Sequence, residues 1–311
     1  KRIRSILYTS IYKWVYDKTH KKKNLKILEP SCGQGIFCKN LKQKGFKKIT
    51  ALEVDKSISP KYAIQKSFIT YDFKDNYDVI IGNPPYIRWK NLNKNLKREL
   101  ENNLVWKNYF NNLCDYLYIF IFKSLEILKE GGEIIFITPE FWFKNLHSNN
   151  LRNHILEKAH IKEVYYLGEN RYFDKVNSSF VIFKIVKKKI KPKIKIFKLK
   201  DNIKNIDKIF INITKNFDQF YIDQFQKNKK WLLYRQNYLN KCALIEASCK
   251  STFNKKKITN NRSYTKLKDI CQIANGLVSG LDKAFRCDEE LFKKLNYLEK
   301  NSIRKVIKSH N

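Results

Sequence analysis

An asparagine, two prolines and a tyrosine, Asn83-Pro84-Pro85-Tyr86, close the apolar run Tyr77-Asp78-Val79-Ile80-Ile81-Gly82. The side-chain oxygen of Asn83 and the backbone carbonyl of Pro84 make two hydrogen-bond acceptors side by side. The prolines hold that carbonyl rigidly, since proline fixes its own φ and restricts the residue before it. Such a pair suits a planar amino group whose lone pair is delocalised into a ring. Accepting both of its protons lets the nitrogen move toward tetrahedral geometry and aim the lone pair at an electrophile. Tyr86 offers a flat face on which an extruded base can stack. If the electrophile is a sulfonium, an excellent leaving group, no general base is essential. Positioning and preplaced acceptors then do the catalysis. The chemistry implied is methyl transfer to an exocyclic nitrogen, with the N6 of adenine as the best fit. A Pro-Pro turn after a buried strand is the plain alternative.

About fifty residues upstream, Ile27-Leu28-Glu29-Pro30-Ser31-Cys32-Gly33-Gln34-Gly35 ends another strand in a glycine turn. Glycine lets backbone approach a ligand where a Cβ would collide. Glu53 closes the next strand, where a carboxylate can accept hydrogen bonds from ribose hydroxyls. Cys38 stands where the third glycine of a dinucleotide fingerprint would be, so a nucleoside cofactor without a pyrophosphate fits better than NAD.

The elements that must position these groups alternate between short β-rich runs and helical stretches from about Leu25 to Val186, which predicts an α/β sheet. Strands are expected at Leu25–Leu28, Ile49–Val54, Val79–Gly82, Glu133–Thr138, Val164–Leu167 and Phe180–Ile185. Helices are expected at Phe37–Lys44 and Asp115–Lys129, with Gly131-Gly132 terminating the second. Lys187 to Lys200 carries a run of lysines among Ile and Phe, readable as an edge strand or as a link into a second domain. The boundary is therefore set at 188, giving 1–188 as a cofactor-binding catalytic domain and 189–311 as a basic α+β region.

Lys+Arg 64 against Asp+Glu 29 give a net charge of +35, which points to a polyanionic partner. An AT-rich coding sequence also enriches Lys, Asn and Ile, but would not remove acidic residues. Seven cysteines without a CxxC pair argue against a disulfide framework and a zinc site, so no metal is expected and a reducing cytoplasm fits. The longest strongly apolar stretch, Tyr116 to Phe122, is too short to cross a bilayer, so no membrane partner is expected. The chain opens on Lys1 and contains no Met, the pattern of a piece of a longer protein.

Together these motifs resemble the S-adenosylmethionine-dependent DNA adenine-N6 methyltransferases of restriction–modification systems, in the arrangement with the cofactor motif first and target recognition C-terminal. The resemblance implies a Rossmann-like mixed seven-stranded methyltransferase sheet with helices on both faces, followed by a partial recognition region. It implies that Thr9, Glu29, Pro30, Ser31, Cys32, Gly33, Gly35, Glu53 and Asp72 bind S-adenosyl-L-methionine, with Asp72 taking the adenine amino group. Asn83, Pro84 and Tyr86 take the catalytic role. Phe173, with Tyr172 in reserve, supplies a second aromatic to the flipped base. Double-stranded DNA is the expected partner, and the 189–311 region reads the target. A monomer is expected, with a restriction endonuclease as a separate subunit or fused domain. Two other readings stand beside this one. One is methylation of an RNA base or a protein glutamine amide; the other is a DNA-binding module of a larger restriction–modification protein without turnover of its own.

Overall fold

The computed structural model describes residues 24–168, 179–190, 192–200 and 213–231, together with Leu233 and Lys293. The chain divides into two compact units, Lys1–Ser248 and Cys249–Asn311, and every element below belongs to the first.

Central strands carry near-continuous apolar sequence because both of their faces are covered. β1 (Ile27–Glu29), β3 (Tyr77–Gly82) and β4 (Leu128–Pro139) are of this kind. Successive side chains point to opposite faces. Ile80, Ile134 and Phe136 enter one core, while Val79, Ile81, Ile135 and Ile137 enter the other. On the second face, α1 (Ile36–Gln43) packs through Phe37 and Leu41. The first face is covered by α2 (Lys94–Glu101), α3 (Leu104–Tyr109), α4 (Leu117–Glu126), α5 (Phe141–Lys144) and α6 (Asn149–Lys158). Almost every residue of α4 is buried, as a helix enclosed by others requires. Helices therefore lie on both faces of the sheet.

The remaining strands are β2 (Ile49–Ala51), β5 (His160–Gly168), β6 (Phe180–Val186), β7 (Ile194–Leu199) and β8 (Phe217–Ile222), the last preceded by the short α7 (Ile213–Asn216). The order across the sheet is β2-β1-β3-β4-β6-β5-β7-β8. β1 to β4 run parallel, and β6 is antiparallel to both neighbours, β4 and β5. The sheet has eight strands rather than the expected seven. Phe217-Asp218-Gln219-Phe220-Tyr221-Ile222 pairs antiparallel with β7, in a stretch whose Asn and Lys content hides any βα rhythm. β7 and β8 lie beyond position 188 yet belong to the same sheet, and β7 falls within the lysine-rich stretch.

Gly131-Gly132 does not end a helix. α4 stops at Glu126, and the glycines fall inside β4, where pairing with β3 shifts register between Tyr77 and Val79. A Cβ on Gly132 would lie 2.9 Å from the Lys129 carbonyl oxygen and 3.0 Å from that of Asp78. Glycine is needed there for backbone packing. After β1 the chain moves to β2 on one side and then returns to β3 on the other. That reversal leaves a crevice outside the carboxyl ends of β1 and β3, the usual place for a ligand in an open α/β sheet.

Candidate active site

A cavity of about 390 Å³ occupies that crevice, a volume suited to a nucleoside-sized ligand. Glu29, Pro30, Ser31, Cys32 and Gly33 line it from the end of β1, Glu53 and Val54 from the end of β2, and Asn83 from the end of β3. Three separated sequence motifs thus meet around one space.

The glycine turn is held open by its backbone. Gly33 and Gly35 have φ of +52° and +72°, in the left-handed region. A Cβ on Gly33 would meet nothing within 4 Å, so this backbone faces open space. A Cβ on Gly35 would come 2.2 Å from the Tyr62 hydroxyl, which itself donates to the Gly35 carbonyl at 3.2 Å. Gly35 is a packing requirement, and Gly33 is the open rim.

Glu53 fastens this rim to β2. Its Oε2 accepts the Gly33 N–H at 2.7 Å, and its Oε1 accepts the N–H groups of Val54 and Asp55 at 2.8 and 2.9 Å. Each carboxylate oxygen has two lone pairs, so Oε2 keeps capacity for a ligand hydroxyl.

Glu29 is buried at the floor and accepts from Cys38 twice, from the backbone N–H at 3.1 Å and from the thiol at 2.8 Å. Burial pushes its carboxyl up to about 8, against the opposing effect of those hydrogen bonds. Burial, with the nearby carboxylates of Glu29 and Glu53, pushes the Cys32 thiol up to about 12. Cys32 is thus an uncharged wall rather than a nucleophile.

In the tetrapeptide segment, Asn83, Pro85 and Ile87 line the cavity, whereas Pro84 and Tyr86 between them do not. This is the alternation of an extended chain. The Ser31 hydroxyl donates to the Asn83 carbonyl at 3.4 Å, joining the β1 and β3 loops. Tyr86 is half-buried and meets Phe180 of β6 edge to face, with centroids 5.9 Å apart.

Asp72 stands elsewhere. Its side chain is 77% exposed and pairs with Lys74, which holds the carboxyl below the usual carboxylate range, and it does not line the cavity. The wall there is made by Ser67 and Phe68, with Leu96 of α2, and Tyr116 and Phe120 at the start of α4. The sequence offered little signal for these. Ser67 carries no charge and no motif, and the aromatics read as core. Thr9, Tyr172 and Phe173 lie outside the described residues. Among the described residues, no group of three His, Cys, Asp or Glu could hold a metal ion, and no helix is long and apolar enough to cross a membrane.

Comparison with known proteins gives the family. The chain is 37% identical over 303 residues to the type II methyltransferase M.HindII of Haemophilus influenzae, covering 96% of this chain and 58% of that protein. It is 27% identical over 303 residues to the type II methyltransferase M.AccI of Acinetobacter calcoaceticus, covering 91% and 52%. The chain thus spans somewhat more than half the length of these relatives. Among solved structures, its fold is similar to a type I restriction–modification methyltransferase subunit from Streptococcus thermophilus (TM-score 0.53, 14% identity, covering 67% of this chain and 51% of that one). It is also similar to DrdV, determined in complex with DNA (TM-score 0.53, 14% identity, covering 70% and 30%). The model of the Eco57I restriction-modification methylases matches residues 4–173, more than half of the sequence. The chain belongs to the Eco57I restriction-modification methylase family.

Proposed function

We propose that this chain is the catalytic part of an S-adenosyl-L-methionine-dependent DNA methyltransferase of a restriction–modification system, acting on the N6 amino group of adenine. The observation that carries this reading is that Asn83 shares one cavity with the Gly33 turn and Glu53. A nucleoside site therefore adjoins the residue that carries the first amino-group acceptor, with Pro84 next to it in the chain.

The residues fit the cofactor. The bare Gly33 backbone leaves room against the ligand, and Glu53 Oε2 stands ready for ribose hydroxyls. Val54 and Ile58 are exposed yet line the cavity, so a bound planar base would cover them. When bound, S-adenosylmethionine supplies a methyl group on a sulfonium centre. Asn83 Oδ1 and the Pro84 carbonyl accept the two N6 protons and orient the lone pair. Tyr86 supports the base once it leaves the duplex, an extrusion that costs a few kcal/mol. Stacking returns roughly 1–3 kcal/mol per base.

The basic 189–311 region grips phosphates and reads the target, with affinity that falls steeply with salt. Double-stranded DNA is the partner, the chain acts as a monomer in the cytoplasm, and an endonuclease is supplied as a subunit or fused domain. The M.HindII and M.AccI relatives support the reaction class.

The test is acceptor choice. The protein is incubated with labelled S-adenosylmethionine and, separately, unmethylated DNA, ribosomal RNA or protein. Label in DNA alone supports the proposal. Label in RNA or protein alone, or cofactor binding without transfer to any acceptor, counts against it.

A further inference from the structure

Two leucines on separate loops are left in water. Leu113, in the loop joining α3 to α4, is 68% exposed, and Leu146, in the loop joining α5 to α6, is 75% exposed. A single exposed leucine needs no explanation. What sets these two apart is how they are held and where.

The two loops are fastened to each other, since the Cys114 thiol donates to the His147 carbonyl at 3.3 Å. Each is also pinned by its own asparagine. The Leu113 N–H donates to Asn111 Oδ1 at 2.9 Å, and the His147 N–H donates to Asn145 Oδ1 at 3.0 Å. Buried Arg152 holds the second loop from behind, donating from Nη1 to the Asn145 carbonyl at 2.7 Å. The backbone that presents both side chains is thus already ordered, which lowers the cost of covering them.

Their place is the catalytic edge. The Leu113 loop runs into Asp115 and Tyr116, which pair with Arg88 and Ile87 directly after the Asn83–Tyr86 segment. β4 lies beside β3 with Phe136 opposite Gly82, so the chain leading to Leu146 leaves the same carboxyl edge as Asn83. Neither leucine lines the cavity, so the cofactor is not what covers them. Arg88, Lys90 and Lys107 are exposed, whereas Asp115 is buried and Glu140 is paired with Lys144.

An apolar pair among cations, next to an amino-group acceptor, matches a duplex at the point where one nucleotide has left the stack. Phosphates meet the cations, and the vacated space meets the apolar side chains. Leucine is among the residues that proteins push between base steps to unstack them. A docking face for another protein would call for a wider apolar area than two side chains.

Resting on the DNA reading above, we infer that Leu113 and Leu146 form an apolar wedge that enters the duplex beside the target and holds open the space left by the extruded nucleotide. The wedge acts on unpairing and not on methyl transfer itself. Its effect is therefore largest where a base pair has to be broken.

The experiment compares single-turnover methyl transfer by the wild-type chain, the Leu113→Ala/Leu146→Ala double variant and Ile190→Ala. Ile190 is likewise exposed, at 45%, but follows β6 beyond Val186, at the opposite end of the sheet. Two duplexes carry a methylation site mapped on plasmid DNA. One is fully paired; the other has the target base mispaired, which makes extrusion cheaper. The readout is the rate of each variant divided by the wild-type rate on the same duplex. The double variant is expected to be slowed about tenfold or more on the paired duplex, a modest share of the cost of unpairing and unstacking. On the mispaired duplex it should lie within about twofold of the wild type, since little of that cost remains. Ile190→Ala should match the wild type on both. An undiminished rate of the double variant on the paired duplex overturns the wedge while leaving the DNA reading intact. So does equal slowing on both duplexes, the pattern of a contact that only binds DNA or packs against another part of the protein, and so does equal slowing in Ile190→Ala. No transfer to DNA by the wild type overturns the DNA reading itself, and the wedge with it.

Discussion

The backbone N–H of Tyr116 donates to the carbonyl of Ile87, the residue directly after Tyr86, at 2.9 Å, beside an antiparallel bridge between Arg88 and Asp115. The Asp115 carboxylate caps α4 by accepting the Leu117 N–H at 3.0 Å. The end of the Asn83–Tyr86 segment is thereby tied to the first turn of a buried helix. Asp115→Ala is expected to loosen the segment and lower turnover by roughly tenfold to a hundredfold, the range for a small misplacement of reacting groups. Cofactor affinity should change much less. Single-turnover methyl transfer beside equilibrium cofactor binding separates the two effects.

Glu29 gives the fold a pH dependence of defined sign. Burial raises its folded-state pKa from 4.5 to about 8, so between those values the folded state holds a proton that the unfolded chain has lost. Its contribution to stability is present in full below pH 4.5 and is lost as pH rises through about 8. Asp115 acts in the same sense over a lower window, from 3.8 to about 6. Glu29→Gln should therefore flatten the stability profile between pH 5 and 8, as measured by denaturant unfolding. An unchanged slope would show that Glu29 titrates normally.

The two left-handed glycines should separate folding from binding. Gly35→Ala meets both a positive φ and the Tyr62 hydroxyl, so it should cost stability by about 1–2 kcal/mol from backbone strain alone. Gly33→Ala has the same backbone strain but no collision. Its methyl should instead intrude on bound ligand. Thermal unfolding and cofactor titration of both variants check this, with the larger loss of affinity per unit of lost stability expected for Gly33→Ala.

Asp72 and Glu53 offer a direct contrast. Asp72 is exposed and outside the cavity, so Asp72→Ala should leave the cofactor dissociation constant within about twofold, as for ordinary surface changes. Glu53 holds three backbone N–H groups around the turn. Glu53→Ala should raise that constant by at least an order of magnitude, since the loss of hydrogen bonds to a charged group disorders the rim as well. Comparable losses in both variants would contradict the placement of Asp72.

Much of the fold was legible because buried parallel strands announce themselves. Ile27-Leu28, Val79-Ile80-Ile81 and Ile134-Ile135-Phe136-Ile137 are apolar on both faces, and glycine or proline follows at the ligand end. The convergence of Gly33, Glu53 and Asn83 followed from their positions after successive strands. β8 was not legible, since an edge strand with Asp218 and Gln219 exposed needs no apolar run. Nor was the far end of the cavity. Ser67 and Glu99 are thirty-two residues apart, and the helix Lys94–Glu101 reads as a solvated charged surface. Only packing shows that one of its carboxylates turns inward to meet a serine. Asp72 was named by the family resemblance alone; taken by itself it is a surface acid in a polar loop, and a motif match says nothing about which way a loop residue faces.

The most direct test of the central claim is the identity of the modified nucleoside. Unmethylated DNA is treated with labelled S-adenosylmethionine and either the wild-type chain or Asn83→Ala, then digested to nucleosides and separated. N6-methyladenine from the wild type, formed on the order of a hundredfold more slowly by Asn83→Ala with cofactor binding largely spared, is the expected result. Label in a methylated cytosine, or N6-methyladenine formed at an undiminished rate by Asn83→Ala, would contradict the role assigned to Asn83 and Pro84.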